Sequence, residues 1–259
     1  MKKLNNYLAG SKLLKGLLLP LLLIGTWHIL SKQGVGYAYS FVPISQIVTG
    51  LFELIHSGEL LTNLLATLNT TVIGILVGGS IGLLVGGLMG ISPTIDKLFG
   101  PLYHSLRQVP LLGLIPLIAL WFGNGEFSKV LIVSIAAFVP LVLNTYEGIR
   151  GIEKKYIEVS QVLKFNRLQL FFYVLLPGAM PSVLTGLGHA LAFAWISTVG
   201  SELLFSTGPG LGGLMQTAQS AARMDVVIIA VVTIGMTGLM MNTGLTLFSR
   251  YLLRWRSVR

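Results

Sequence analysis

Six stretches of the chain are apolar over lengths near that of a bilayer crossing: 13–31, 64–91, 109–123, 130–149, 182–205 and 226–250. A helix through the hydrocarbon core needs about 20 such residues. The pattern therefore predicts an all-α, polytopic membrane protein of about six transmembrane helices. The third stretch is the shortest and contains Pro110 and Pro116. Broken backbone at membrane depth is tolerated only where protein or a water-filled cavity covers it. Gly235, Gly238 and Gly244 loosen the sixth. The alternating segments of about ten residues that build membrane β-barrels do not occur. The first stretch follows Lys12 and Lys15, as the apolar region of a signal peptide would. No small-x-small cleavage site comes after it, so a retained span is expected.

Composition narrows the class. The chain of 259 residues is 53% hydrophobic and 10% charged, whereas soluble domains carry about 25% charged residues. A soluble globule and a disordered chain are both excluded. Cysteine is absent and the four histidines are not spaced as joint ligands, so no disulfide or metal site is expected. No paired carboxylates or Ser/His/Asp set appears in the spans, so no catalytic residue is assigned.

The net charge of +9 is a matter of topology. With the N-terminus in the cytoplasm, fifteen of the 18 basic residues fall on the cytoplasmic side, among them Lys97, Arg107, Arg150, Lys154, Lys155, Lys164, Arg167 and Arg250. Lys32, Lys129 and Arg223 fall outside. By the positive-inside rule both termini are cytoplasmic. The excess faces membrane lipid and not nucleic acid. The expected organisation is an N-terminal tail, first span and external loop over 1–61, a transmembrane domain over 62–250 and a basic tail over 251–259.

Polar positions inside the spans are candidates for a translocation path or gate: Asn69, Thr70, Asn144, His189, Ser197, Thr198 and Glu202. Each Ser or Thr can also bond its own helix carbonyl, and His189 can be an interhelical hydrogen-bonding group. Glu202 is the main acidic candidate. A carboxylate within a membrane needs a partner or a role, unless it lies at the external interface in water. Gly74, Gly78, Gly82, Gly86 and Gly90 recur every four residues, a spacing that lets helices approach closely. Packing within the chain is preferred to a contact between copies. Gly208 to Gly213 fits G-x-G-x-x-G, but in an external loop without the strand and acidic residue of a dinucleotide site. Its glycines suit a tight turn and close backbone approach to an external partner or gate.

The loop at 150–177 is the unusual segment. Ile152, Tyr156, Val159 and Leu163 follow helical spacing and form one apolar face, and a second short helix carries Leu168, Phe171, Phe172 and Leu175 up to Pro177-Gly178, where it is expected to end. Periodicity alone fits an amphipathic linker on the bilayer and a docking helix for a cytoplasmic partner equally well.

This loop resembles the signature of ABC importer permeases, E-A-A-x3-G-x9-I-x-L-P. Glu158 takes the acidic position, Val159 and Ser160 stand for the alanines, Val174 for the isoleucine, and Leu176-Pro177 complete it. Lys164 stands where the family has the glycine that turns between two short helices. Flanking blocks, including Arg107-Gln108-Val109-Pro110, Leu120 to Gly123, Pro140 to Asn144, Glu202 and Gly210-Leu211-Gly212, are similar to the nitrate, sulfonate, taurine and bicarbonate branch. The resemblance implies a type I importer. Two permease copies form a homodimeric pathway, and a cytoplasmic ABC ATPase dimer docks on Tyr156, Glu158, Val159, Ser160, Leu163, Lys164, Leu176 and Pro177. An external solute-binding protein delivers a small sulfonate, taurine, nitrate or similar anion. Related permeases for pyrimidine-type vitamin precursors supply the alternative substrate class. The chain has no G-x-x-x-x-G-K-[ST] phosphate loop, so ATP and Mg²⁺ are expected on the ATPase and no cofactor on this chain. A rival of another class, an autonomous carrier or channel, commonly shows intramembrane charges and inverted repeats; here such charge is sparse and no half resembles the other.

Overall fold

The computed structural model describes residues 18–19, 21–32, 41–205 and 207–256. Among the described residues every regular element is helical: α1 (Leu21–Leu30), α2 (Ile44–His56), α3 (Glu59–Ile91), α4 (Pro93–Leu106), α5 (Ile115–Phe122), α6 (Glu126–Arg150), α7 (Lys154–Val162), α8 (Arg167–Leu170), α9 (Leu176–Phe205), α10 (Leu211–Ser220) and α11 (Met224–Leu252). Four helical runs are long and apolar enough to cross a membrane: α3, α6, the continuous run Arg167–Phe205 and α11. Helix α4 and the segment Leu111–Phe122 meet at 83° and count together as a fifth, broken span. Of the predicted first span, residues 13–17 and 20 lie outside the described residues, and the rest is the short helix α1.

Helix α6 is the centre of the bundle and packs most extensively on α3 and α9. The glycine row of α3 makes this possible. A β-carbon at Gly78 would lie 1.9 Å from the Ser134 carbonyl oxygen, one at Gly86 2.5 Å from that of Val142, and one at Gly74 2.3 Å from Val133 Cγ1. The row is thus an intramolecular seam between α3 and α6, as preferred from the sequence. Outward-facing Leu76, Leu84 and Met240 remain exposed, as lipid-facing residues are.

Three segments expected to be loops are helices. Helix α2 lies in the predicted external loop, α4 in the predicted cytoplasmic segment and α10 in the loop after the fifth span. Each is shorter than a bilayer crossing, so a count of span-length apolar runs passes over it. Helix α4 begins at an Ser92 cap that accepts from Ile95 N–H, with Pro93 at its first position. It is tied to α6 by the Tyr103 hydroxyl donating to the Val139 carbonyl at 2.8 Å and by an Arg150–Asp96 ion pair at 2.9 Å. Arg223 ties α2 to α11, reaching Glu53 at 3.1 Å and Asp225 at 2.7 Å. Those two carboxylates push its guanidinium pKa still higher.

The expected stop at Pro177-Gly178 is a further correction. The chain stays helical from Arg167 through Phe205. A single wide turn, Phe171–Leu175, precedes the proline. Such a π turn shifts the hydrogen-bond offset, which absorbs the donor that proline lacks.

Candidate functional site

The loop at 150–177 stands at the end of the bundle where α6 finishes and α9 begins. In α7 Tyr156, Glu158 and Val159 are exposed, as is Leu163 at its C-terminal cap, while Ser160 is buried and its hydroxyl donates to the Ile157 carbonyl at 2.6 Å. Tyr156, Val159, Ser160 and Leu163 face a hollow of about 450 Å³, whose far wall includes Tyr173, Pro177 and Trp255. Leu176 lies on the same segment, just beyond this wall. Lys164 adopts φ +54°, so it makes the left-handed turn itself where the family has glycine. Asn166 does not turn the chain but caps α8, accepting from Gln169 N–H at 2.8 Å while the Gln169 side chain returns to Asn166 N–H at 2.9 Å. At the loop's start Glu153 pairs with Lys155, which raises the ammonium pKa above its usual value.

At the opposite end the polar residues form a packed seam. Glu202 of α9 is buried, and its Oε2 accepts from Thr67 Oγ1 at 3.0 Å and from Gly212 N–H at 2.9 Å. Gly210 N–H donates to Asn63 Oδ1 at 2.7 Å and Leu211 N–H to Thr67 Oγ1 at 2.9 Å. Three successive amides at the start of α10, which no helical turn can satisfy, are thus taken up by α3 and α9. A carboxylate there also meets the positive end of the α10 dipole. The seam extends to Thr71, bonded to Thr198 at 2.9 Å, and to Thr70, bonded to Glu126 at 2.8 Å. Lys129 is buried beside it, donates to the Thr207 carbonyl and places its charge within reach of Glu202.

This arrangement gives the glycine-rich motif the tight turn and the close backbone approach expected of it. Its close backbone approach is to Glu202 of the same chain: a β-carbon at Gly210 would lie 2.4 Å from Glu202 Cδ. Gly208, at φ +72°, makes the turn that brings α10 back over the seam.

A second polar group lies deeper along the bundle, where the α4–α5 break faces α6 and α9. These walls border a half-open chamber of about 710 Å³. Asn144, His189 and Ser197 line it, together with Arg107 and Gln108. Asn144 donates to the Pro140 carbonyl of its own helix at 2.8 Å.

The seven predicted path residues therefore separate. Thr70, Thr198 and Glu202 belong to the seam; Asn144, His189 and Ser197 reach the chamber; Asn69 is exposed and lines neither. Reading single residues missed Asn63, Thr67, Glu126 and Lys129. Glu126 and Lys129 stand three apart at the start of a span, a spacing that puts them on one helical face and was the available signal.

A broken span lining a half-open chamber, beside a short exposed helix carried between two long spans, defines a multi-pass transport permease. The chain belongs to the family of binding-protein-dependent transport system inner membrane components, matched over residues 74–258. It is 36% identical to a putative aliphatic sulfonates transport permease of Bacillus subtilis, over 94% of this chain and 88% of that relative. It is 33% identical to the taurine transport permease of Escherichia coli, over 77% and 70%. Against the nitrate import permease of Leptolyngbya laminosa it is 30% identical, over 85% and 80%. Among solved structures, an amino acid ABC transporter chain superposes with TM-score 0.64 at 21% identity, covering 78% of this chain and 97% of that one. A methionine ABC transporter in an inward-facing conformation gives 0.62 at 19%, covering 74% and 95%. This protein is an ABC importer permease, a membrane subunit of a transport system served by a binding protein.

Proposed function

We propose that two copies of this chain form the pathway of an importer for small sulfonates, taurine, nitrate or similar anions, with both termini cytoplasmic. A cytoplasmic ABC ATPase dimer binds α7, and a solute-binding protein docks at the seam end. The observation that carries the reading is the placement of α7. It presents Tyr156, Val159 and Leu163 over an open hollow at the junction of the two spans it connects. A partner seated there grips α6 and α9 at once. Closure of the ATPase dimer on ATP draws the two docked loops together, and the bundle changes which side it opens toward. Hydrolysis takes place on the ATPase subunits. The relatives that act on sulfonates, taurine and nitrate support the substrate class.

Removing an apolar anchor from a desolvated interface costs about 2 kcal/mol or more, roughly thirtyfold in affinity. Tyr156→Ala with Leu163→Ala is therefore expected to release the ATPase while the permease stays folded in the membrane, read by pull-down and by ATP hydrolysis stimulated with loaded binding protein. Retention of both at wild-type level would show that α7 is a surface linker. Lys164→Gly relieves a left-handed lysine and is expected to keep the ATPase bound. The substrate class is tested by uptake of the three solutes into liposomes holding the assembled importer; transport of none of them would overturn it.

A further inference from the structure

Arg107 stands at the break between α4 and α5, outside any helix. Around it Gln108 and Val109 N–H groups turn back to the Ser105 and Leu106 carbonyls at 3.2 and 3.1 Å, and Pro110 has no donor. Non-helical backbone in a broken span is tolerated where it lines a cavity, and the break lines the chamber. Its polar lining is Arg107, Gln108, Asn144, His189 and Ser197, with no Asp or Glu in its walls. Arg107 makes no ion pair with the described residues, whereas Arg150, at the same end of the bundle, is matched by Asp96 at 2.9 Å. The neighbouring Tyr103 hydroxyl interacts with Arg107 but donates to the Val139 carbonyl. Glu147, whose charge also reaches Tyr103, is not among the chamber walls.

We propose that Arg107 is the anion-selecting residue of the inner chamber, receiving the sulfonate or nitrate group of the solute beside Gln108 and His189. This rests on the reading of the chain as an importer of such anions. A guanidinium offers a planar fork of donors that matches two oxygens of an oxyanion. A site on a transit route must also release its solute. A chamber of about 710 Å³ exceeds the size of these solutes, so the anion is held through one charged side and water elsewhere.

The test uses the assembled importer of permease, ATPase and binding protein in liposomes. Uptake of ethanesulfonate, taurine and nitrate is measured beside ATP hydrolysis stimulated by loaded binding protein. If the wild type imports none of the three, the substrate reading itself fails and this inference with it. If it imports any, Arg107→Gln is expected to lower that uptake about tenfold or more, with Arg107→Lys intermediate and stimulated hydrolysis within about twofold of wild type. Wild-type uptake by Arg107→Gln would overturn the assignment and leave the importer reading standing. An equal fall of uptake and hydrolysis would also overturn it, since a residue that only shapes the helix break affects both. Should Arg107→Gln fail to assemble, Gln108→Glu carries the test: a carboxylate set beside Arg107 is expected to suppress uptake to the same extent, and unchanged uptake overturns the proposal.

Discussion

The two polar regions of the bundle are built on opposite terms. In the seam, Glu202 Oε2, Thr67, Asn63 and the α10 amides bond one another while Glu202 Oε1 is buried without a partner, and α10 lies so close that Gly210 and Gly212 have no room for a side chain. In the chamber, the polar groups face open space, and Asn144 bonds its own helix. Intramembrane polarity thus serves two purposes in one chain. Polar groups that bond across helices fix α10 to α3 and α9, because losing such a buried bond is expensive. Polar groups that line the chamber leave their bonding capacity turned toward open space.

The comparison can be broken at the seam first. Glu202→Ala strands Thr67 and the Gly212 amide and is expected to destabilise the permease by about 3 kcal/mol or more, seen as a lowered unfolding midpoint of the purified protein. An unmoved midpoint would mean that α10 is held by something else. Gly210→Ala drives a methyl group into the Glu202 carboxylate; overpacking of this kind costs about 2 kcal/mol, and the same midpoint reports it. The chamber is expected to behave the other way. His189→Ala is expected to shift the midpoint by no more than about 0.5 kcal/mol yet slow uptake in liposomes. A His189→Ala protein as destabilised as Gly210→Ala would erase the distinction.

Much of this architecture could be read from the residues, and what could not has physical causes. Long apolar runs located α3, α6, α9 and α11 because lipid demands them. Helices α2, α4 and α10 answer to neighbours instead: α4 is held by Tyr103 on Val139 and Asp96 on Arg150, contacts that exist only once α6 is in place. The continuation through Pro177 was hidden because a wide turn at Phe171–Leu175 compensates the proline, ten positions after the run's start at Arg167, only in three dimensions. Glu202 stood out as costly from sequence alone. Its partners did not, since Thr67 lies 135 positions away and Gly212 contributes only backbone. The glycine motif was open for the same reason: spacing shows that a backbone can come close, not to what.

The unbroken run Arg167–Phe205 has a mechanical consequence. Its 39 residues make a rod of roughly 58 Å at 1.5 Å per residue, with its foot at the α7 loop and its head at Glu202. A tilt of about 5° around its middle would displace each extremity by roughly 2.5 Å, in opposite directions. That is close to the length of a hydrogen bond. Leverage at the foot can therefore part Glu202 from the α10 amides without bending any helix, and the π turn near the foot is where the beam can yield if the load grows too large.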